Sequence, residues 1–329
     1  MLIDAHNRLI DYLRIAVTDR CNLRCRYCMP PEGVAPLPHE EILTYEEILR
    51  VARVAVTLGI RKIRLTGGEP LVRRGLGLLV GTLMRMDGLQ DLSMTTNGVH
   101  LAQYARELRA AGLGRVNVSM DSLDPERYRF LTRGGELSLV WEGLMAAWAA
   151  GLHPIKVNVV AMEGLTPEEI LAFARLTLQW PFEVRFIEWM PVGSDSPWQP
   201  SDVLPADRIV EIIRRAFPLE PAVTATGNGP AHLSRIPGGR GALGVISPVT
   251  RHFCHQCNRL RLTSDGKLRA CLFSDREVDL KGLMRGGGSD AALAEQIRLA
   301  IADKPQGHRL GLEDRRIKKC MRPMNRIGG

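Results

Sequence analysis

No apolar run in the sequence approaches the ~20 residues that cross a bilayer, so no membrane-spanning helix is expected. The start, MLIDAHNRLI, lacks a positively charged opening followed by an apolar stretch; no targeting segment is read there, and a cytoplasmic location is the expectation. Low-complexity runs and internal repeats are also missing, and apolar residues at 45% with charged ones at 24% sit near the globular average, so disorder is not the default. Negative charge is the scarcer sign. Lysine and arginine number 44 against 36 aspartates and glutamates, a surplus of +8 that favours an anionic ligand or partner without choosing among nucleotide, nucleic acid and a mere solubility charge. A chain of 329 residues can bury a sizeable core, as one barrel-like domain or as a main domain with an appendage.

What the chain does have is seven cysteines, and under reducing conditions their spacing reads as metal chemistry before disulfides. Cys21, Cys25 and Cys28 form C-x3-C-x2-C within CNLRCRYC, with no fourth cysteine near. A closed zinc site wants four ligands, and His39, the next histidine, has no special spacing. A redox C-x2-C has no use for a third cysteine. A four-iron cluster on three thiolates leaves one iron open to a substrate or cofactor. The residues alone leave all three readings standing.

Around this motif the sequence alternates short β-branched strands with amphipathic helices. Strands are expected over 12–17, 62–66, 92–96, 115–120, 155–160 and 183–189. Helices are expected after Thr44, whose partner Glu47 completes a capping box before a stop at Gly59, after Thr166-Pro167 with Glu169, and over 76–86, 101–111, 138–150 and 206–217. Six strand-helix units fit an open doubly wound sheet or a barrel, and in both the ligand sits at the carboxyl ends of the strands. Thr66 to Gly68, Thr95 to Gly98, Ser119, Asp121 and Glu188 to Pro191 fall there, each with an ordinary reading as loop chemistry. A run of prolines and glycines after residue 218 ends the alternation, which predicts a main domain over 1–220 and a smaller, more basic one over 221–329.

That smaller part carries Cys254 and Cys257, with Cys271 after thirteen intervening residues. Asp265-Gly266 predicts a two-residue hairpin turn that sets Cys271 opposite Leu260, close behind the C-x2-C pair. His252 and His255 flank the pair, so zinc held by three cysteines and a histidine is the alternative to a cluster. Arg259 and Arg261, two apart on one strand, share a face beside this site and could clamp phosphate oxygens, or simply be a solvated basic hairpin. Cys320 is left without a role.

Together these stretches resemble the molybdenum-cofactor biosynthesis protein A family, the GTP 3′,8-cyclases of the radical S-adenosylmethionine superfamily. The likeness runs from YLRIAVTDRCNLRCRYCMP through IRLTGGEPLVRR, TTNG, VNVSMDSLD, KVNVV and EWMPVG to CHQCNRLRLTSDGKLRACLF and a terminal Gly-Gly. It implies an α/β fold: an incomplete (β/α)6 TIM-type barrel, the radical SAM core, with a smaller C-terminal domain that carries a second iron-sulfur cluster and covers the opening. Two 4Fe-4S clusters are implied, on Cys21, Cys25 and Cys28 and on Cys254, Cys257 and Cys271. Tyr27, Gly68, Ser119 and Met190 would contact S-adenosylmethionine, and Arg14, Arg64, Thr95, Lys156, Arg259, Leu260 and Arg261 would bind GTP. No side chain is implied as the catalyst, since a 5′-deoxyadenosyl radical would take the 3′ hydrogen of GTP and the sugar radical would add to guanine carbon 8. The Gly328-Gly329 tail would reach into the site and be needed for activity.

The resemblance also implies a flavodoxin- or ferredoxin-like electron donor, a cyclic pyranopterin monophosphate synthase acting downstream and a homodimer, with no nucleic acid and no membrane. Two departures stand out: His6-Asn7-Arg8 replaces a phenylalanine-glycine-arginine triplet, and Arg251 stands where an acidic residue is common. Neither is expected to touch a ligand. A peptide-modifying radical enzyme with an auxiliary cluster would share only the first motif. A non-enzymatic zinc- and nucleic-acid-binding protein would gain nothing from an open three-cysteine site.

Overall fold

A computed structural model of the chain describes residues 1–193, 198–222, 229–308 and 320–328. The alternation continues into six strand-helix units: β1 (Tyr12–Ala16), α1 (Tyr45–Leu58), β2 (Lys62–Thr66), α2 (Leu76–Met84), β3 (Asp91–Thr96), α3 (Leu101–Ala110), β4 (Arg115–Ser119), α4 (Pro125–Thr132), α5 (Leu137–Ala149), β5 (Lys156–Ala161), α6 (Pro167–Gln179), β6 (Glu183–Glu188) and α7 (Ala206–Ala216). Both expected capping boxes are formed. Thr44 Oγ1 accepts from the Glu47 amide at 3.2 Å while the Thr44 amide donates to Glu47 Oε2 at 2.8 Å, and Thr166 and Glu169 repeat the exchange. Gly59 ends α1 at φ 123°, where a side chain would be strained.

After α7 come β7 (Glu220–Pro221), β8 (His232–Arg235), β9 (Ala242–Ile246), β10 (Arg259–Leu262), β11 (Lys267–Arg269), β12 (Val278–Asp279), α8 (Leu280–Arg285), α9 (Asp290–Ala302) and α10 (Met324–Ile327). One sheet runs β12-β11-β10-β1-β2-β3-β4-β5-β6-β9-β8-β7. From β10 to β9 all its pairings are parallel, so the six expected strands are flanked on both sides by strands of the C-terminal part. The sheet keeps two free ends, so it is an open barrel rather than a closed one.

Period-two alternation sorts the side chains of β1 to β6 into two faces. Leu13, Ile15, Ile63, Leu65, Leu92, Met94, Val116, Val118, Val157, Val159, Val184 and Phe186 are buried in the core with residues of the helices. The opposite face is polar. The registers Tyr12 to Lys62 to Asp91, and Arg14 to Arg64 to Ser93 to Arg115, lay charge across the inside of the barrel where branched apolar residues usually fill a closed one. Burying that much polarity without a ligand would be costly.

The turn between β10 and β11 differs from the expectation. Arg261 pairs with Arg269 and Leu262 with Leu268, and Thr263 stands opposite Lys267, so the loop is Ser264-Asp265-Gly266, three residues rather than two. Gly266 takes the left-handed conformation, φ 80°, that closes three-residue hairpins, and Thr263 Oγ1 caps the Lys267 amide at 2.8 Å. Continuing this register puts Cys271 opposite Arg259, one position from the place a two-residue turn predicts.

Candidate active site

The first triad follows β1 at its carboxyl end. Its three cysteines are half-buried, and the loss of solvent around their sulfurs first, then the charges of neighbouring thiols and Asp121 or Glu69, pushes the thiols up: Cys21 to about 11, Cys28 to about 12 and Cys25 well above the ordinary thiol value. Thiols so reluctant to ionise are poor redox nucleophiles at neutral pH and suit a cationic group that displaces their protons. Asn97 Nδ2 approaches Cys21 Sγ at 3.9 Å. Among the described residues no three His, Cys, Asp or Glu side chains close on a single ion.

Gly67 and Gly68 follow β2 and press against this loop. A β-carbon on Gly68 would lie 2.3 Å from the Arg20 carbonyl oxygen, and one on Gly67 would lie 2.3 Å from that of Thr18. Tyr27 Oη donates to Asp121 Oδ2 at 2.8 Å, and Asp121 Oδ1 accepts from the Val160 amide at 2.9 Å, tying the loop to β4 and β5. Burial raises Asp121 to about 6. Ser119 closes β4, and Met190 follows β6. Glu69, which the sequence reading passed over, is buried after Gly68 and accepts from the Leu71 amide, the Asn97 amide and Thr96 Oγ1 at 3.0, 2.6 and 2.8 Å. Burial lifts it to about 7 despite these bonds.

Inside the barrel lies a cavity of about 210 Å³. Arg14, Arg64, Thr95, Lys156, Arg259, Arg261 and Met190 line it, together with Cys254, Cys257 and Cys271. Leu260 is the exception. Its side chain is on the other face of β10, buried in the core, so only its backbone can meet a ligand. The segment 247–258 links β9, at the β6 edge, to β10, at the β1 edge, and contributes Pro248, Phe253, Cys254 and Cys257 to the wall. Since Arg259 pairs with Tyr12 at the start of β1 and the first triad follows its end, the two triads lie at opposite ends of the lumen, separated by a strand of about 13 Å.

Cations dominate this wall. Burial first, then mutual repulsion, brings Arg64 down to about 9, Lys156 to about 8 and Arg261 well below its usual range. Tyr12 would rise by burial, but Arg64, Arg14, Arg259 and Arg115 outweigh that and lower it. Arg115 is neutralised by Asp91, Nη2 to Oδ2 at 2.7 Å, and Arg185 by Glu183, Nε to Oε1 at 2.5 Å, with Lys156 also 3.5 Å from Glu183. Arg14 and Arg259 make no ion pair among the described residues. Tyr12 Oη, Arg14 Nε, Thr95 Oγ1, Asn117 Oδ1 and Asn158 Oδ1 are buried without a hydrogen-bond partner among the described residues, and all five belong to the cavity wall. Orphaned polar atoms converging on one cationic space fit a polar, anionic ligand.

The sequence reading missed Tyr12, Lys62, Arg115, Asn117, Asn158 and Arg185. Their signal was the alternation itself: polar residues at every second position of strands whose other positions are apolar. It also missed how the second triad is braced. Arg8, expected to touch no ligand, donates from Nη1 to the Cys254 carbonyl at 2.7 Å and to the Gln306 carbonyl at 2.9 Å. Lys304 Nζ donates to the carbonyls of Arg259, at 2.8 Å, and Ala270, and its charge helps lower Cys257. His252 and His255 are exposed, and His252 meets His308 edge-on at 5.2 Å. Arg251 pairs with Asp207. Cys320 joins neither triad; it is buried with Val192 and Ile327, 3.2 Å from Arg269 Nη2.

The tail enters the same region. Asn325 Nδ2 donates to the Asp19 carbonyl at 2.7 Å, and Arg261 Nη1 donates to the Gly328 carbonyl. A β-carbon on Gly328, which has φ 81°, would lie 2.4 Å from Thr66 Cγ2. Gly329 lies outside the described residues.

Residues 15–177 match the model of the Radical SAM superfamily and residues 182–310 that of Molybdenum Cofactor Synthesis C. The GTP 3′,8-cyclase of Moorella thermoacetica is 50% identical over 326 residues, 99% of each chain, and that of Pelotomaculum thermopropionicum is 49% identical over 329 residues, again 99% of each. Among solved structures, SuiB of Streptococcus suis bound to S-adenosylmethionine has a TM-score of 0.57 at 15% identity, covering 89% of this chain and 69% of its own. Methylornithine synthase has a TM-score of 0.51 at 20% identity, covering 63% and 62%. These two likenesses show a shared fold.

Proposed function

This chain belongs to the GTP 3′,8-cyclase family of radical S-adenosylmethionine enzymes, and we propose that its cationic lumen holds GTP for conversion to (8S)-3′,8-cyclo-7,8-dihydroguanosine 5′-triphosphate, the first step of molybdenum cofactor biosynthesis. The observation that carries this reading is a cavity whose wall joins cations of β1 to β6 with the second cysteine triad. Cys21, Cys25 and Cys28 would hold a 4Fe-4S cluster that, with S-adenosylmethionine, would supply the radical chemistry for taking the 3′ hydrogen of GTP.

The chain's own work is binding and orientation. Cys21, Cys25 and Cys28 hold the first cluster through three thiolates, and Tyr27, Gly68, Ser119 and Met190 seat S-adenosylmethionine; the lack of a side chain at Gly68 admits its backbone to close contact. Arg14, Arg64, Lys156, Arg259 and Arg261 hold the triphosphate, guanidinium forks fixing its direction as well as its charge. Thr95 and the Leu260 backbone add polar contacts. Cys254, Cys257 and Cys271 would hold a second 4Fe-4S cluster on the side of the cavity proposed for guanine, and Arg8 and Lys304 stiffen the loops that carry them. Positioning of the ribose against guanine carbon 8 lets the two carbons of one molecule join.

The same reading takes 1–220 as the radical SAM core and 221–329 as the cluster and GTP domain, in a cytoplasmic homodimer. A flavodoxin- or ferredoxin-like donor would supply electrons, and a cyclic pyranopterin monophosphate synthase would consume the product. The test is anaerobic incubation with GTP deuterated at carbon 3′, S-adenosylmethionine and dithionite. Deuterium is expected in 5′-deoxyadenosine; 5′-deoxyadenosine formed without it overturns the abstraction site. Purified anaerobically, the protein should carry about eight irons; bound zinc and no colour would overturn the cluster assignment.

A further inference from the structure

The radical chemistry needs an electron from outside, and the structure narrows where it enters. In the first triad's loop, Arg24 and Arg26 are exposed on either side of the half-buried Cys25, whose thiol feels the charges of Asp121 and the other two thiols. Arg24 and Arg26 flank Cys25 directly in the chain, so a partner seated on these two side chains lies beside the triad.

This part of the loop is tied down. The Arg24 and Arg26 amides donate to the carbonyls of Thr132 and Leu131 at 3.2 and 2.9 Å, seating the loop on the end of α4. Arg133 Nη1 donates to the carbonyls of Arg24 and Met29 at 2.8 and 2.6 Å, bracing it from behind. Arg26 lies over the ring of Phe130, 3.7 Å from its centroid, and Nε donates to the Phe130 carbonyl at 3.2 Å. Phe130 is 55% exposed.

The surface over the loop therefore combines an exposed aromatic with Arg24, Arg26 and Arg129, none in an ion pair among the described residues; Glu126, one turn before Phe130, is the opposing charge on α4. Exposed arginine and aromatic residues side by side are the composition of binding hot spots. We propose that Arg24, Arg26, Arg129 and Phe130 form the docking surface for a small acidic one-electron carrier, which passes one electron to the first cluster across the Cys25 backbone with no atom or proton transferred. The proposal rests on the radical reading above. It assigns these arginines to the donor rather than to GTP, which is held inside the barrel.

The experiment compares two reductants on the full-length holoenzyme, dithionite and a flavodoxin kept reduced by its reductase. For Arg24→Glu/Arg26→Glu we expect the flavodoxin-driven kcat/KM to fall by about tenfold or more at low ionic strength, with the dithionite-driven rate unchanged. Raising salt should erase the difference, because exposed charges are screened. Arg24→Gln/Arg26→Gln should lose less, and Phe130→Ala should lose flavodoxin-driven activity at every ionic strength. An unchanged flavodoxin-driven rate overturns the proposal. So does an equal loss with both reductants, since the arginines would then serve the cluster itself. If the parent fails to cyclise GTP with dithionite, the radical reading falls instead.

Discussion

Arg8 and Cys254 are joined across 246 residues by a hydrogen bond of 2.7 Å from the guanidinium to the backbone carbonyl. The same guanidinium donates to the Pro305 carbonyl at 2.7 Å and pairs through Nε with Asp4 at 2.6 Å, both partners buried. The start of the chain thus braces the second triad. Arg8→Ala would strip three carbonyls of their donor and leave the Asp4 charge buried without its partner, a destabilisation of about 3 kcal/mol or more. The expected outcome is loss of about half the iron, from the second triad, with the signal of the first retained. Iron analysis with electron paramagnetic resonance checks it; full occupancy would show that Arg8 is dispensable to that site.

The other triad has a steric counterpart. Gly68→Ala places a methyl within 2.3 Å of the Arg20 carbonyl, a backbone atom that also accepts from the Glu69 amide at 2.8 Å. Neither side can yield without moving Cys21, the next residue. The first cluster should therefore be lost or labile in this variant while the second persists, and S-adenosylmethionine cleavage should stop. Retained iron with undiminished cleavage would refute the steric argument.

How legible this was depended on whether local rules decided the outcome. Thr44, Glu47 and Gly59 set α1 through contacts within three or four residues, so the helix could be read directly. The inner wall was only half legible. Arg14 and Arg64 came from the resemblance, whereas Arg115 and Arg185 differ from ordinary surface arginines only by lying on alternate positions of strands whose lumen face no local rule identifies. The β10-β11 turn was misjudged because Asp-Gly is common to two-residue and three-residue hairpins, and the Thr263 hydroxyl, bonded to Lys267, favours the longer one here. Arg8 was missed because its partners are backbone carbonyls, which carry no mark in a sequence.

Lys156 gives the site a pH dependence. Burial, then Arg185, brings its pKa down to about 8, so it is charged below that pH and neutral above it. Its ammonium faces the cavity proposed to take the triphosphate, hence kcat/KM for GTP should decline as pH rises through about 8, by up to about tenfold per unit. Lys156→Arg keeps its charge through this range and should flatten that limb even if its rate is lower. Profiles of parent and variant with the same substrate separate the lysine from ionisations of GTP; identical alkaline limbs would remove Lys156 from the binding step.

The tail offers the last test, because its seat is steric as well as polar. Arg261 reaches past the hairpin to donate to the Gly328 carbonyl, while Thr66 at the end of β2 leaves no room for a side chain at Gly328. An alanine there must also adopt φ 81°, so Gly328→Ala is opposed twice over. Displacing the tail would free Arg261 to turn within the cavity and would open the carboxyl end of β2 to water, yet its described residues make no hydrogen bond to either triad. Gly328→Ala, and deletion of Gly328 and Gly329, should leave iron content unchanged and reduce cyclisation on the order of 100-fold, the scale expected when reacting groups are held about 1 Å out of place. Uncoupling is the sharper readout: 5′-deoxyadenosine should still form, now without matching cyclised product. Coupled turnover at the parent rate in either variant would show that the tail only rests against the site and does not shape it.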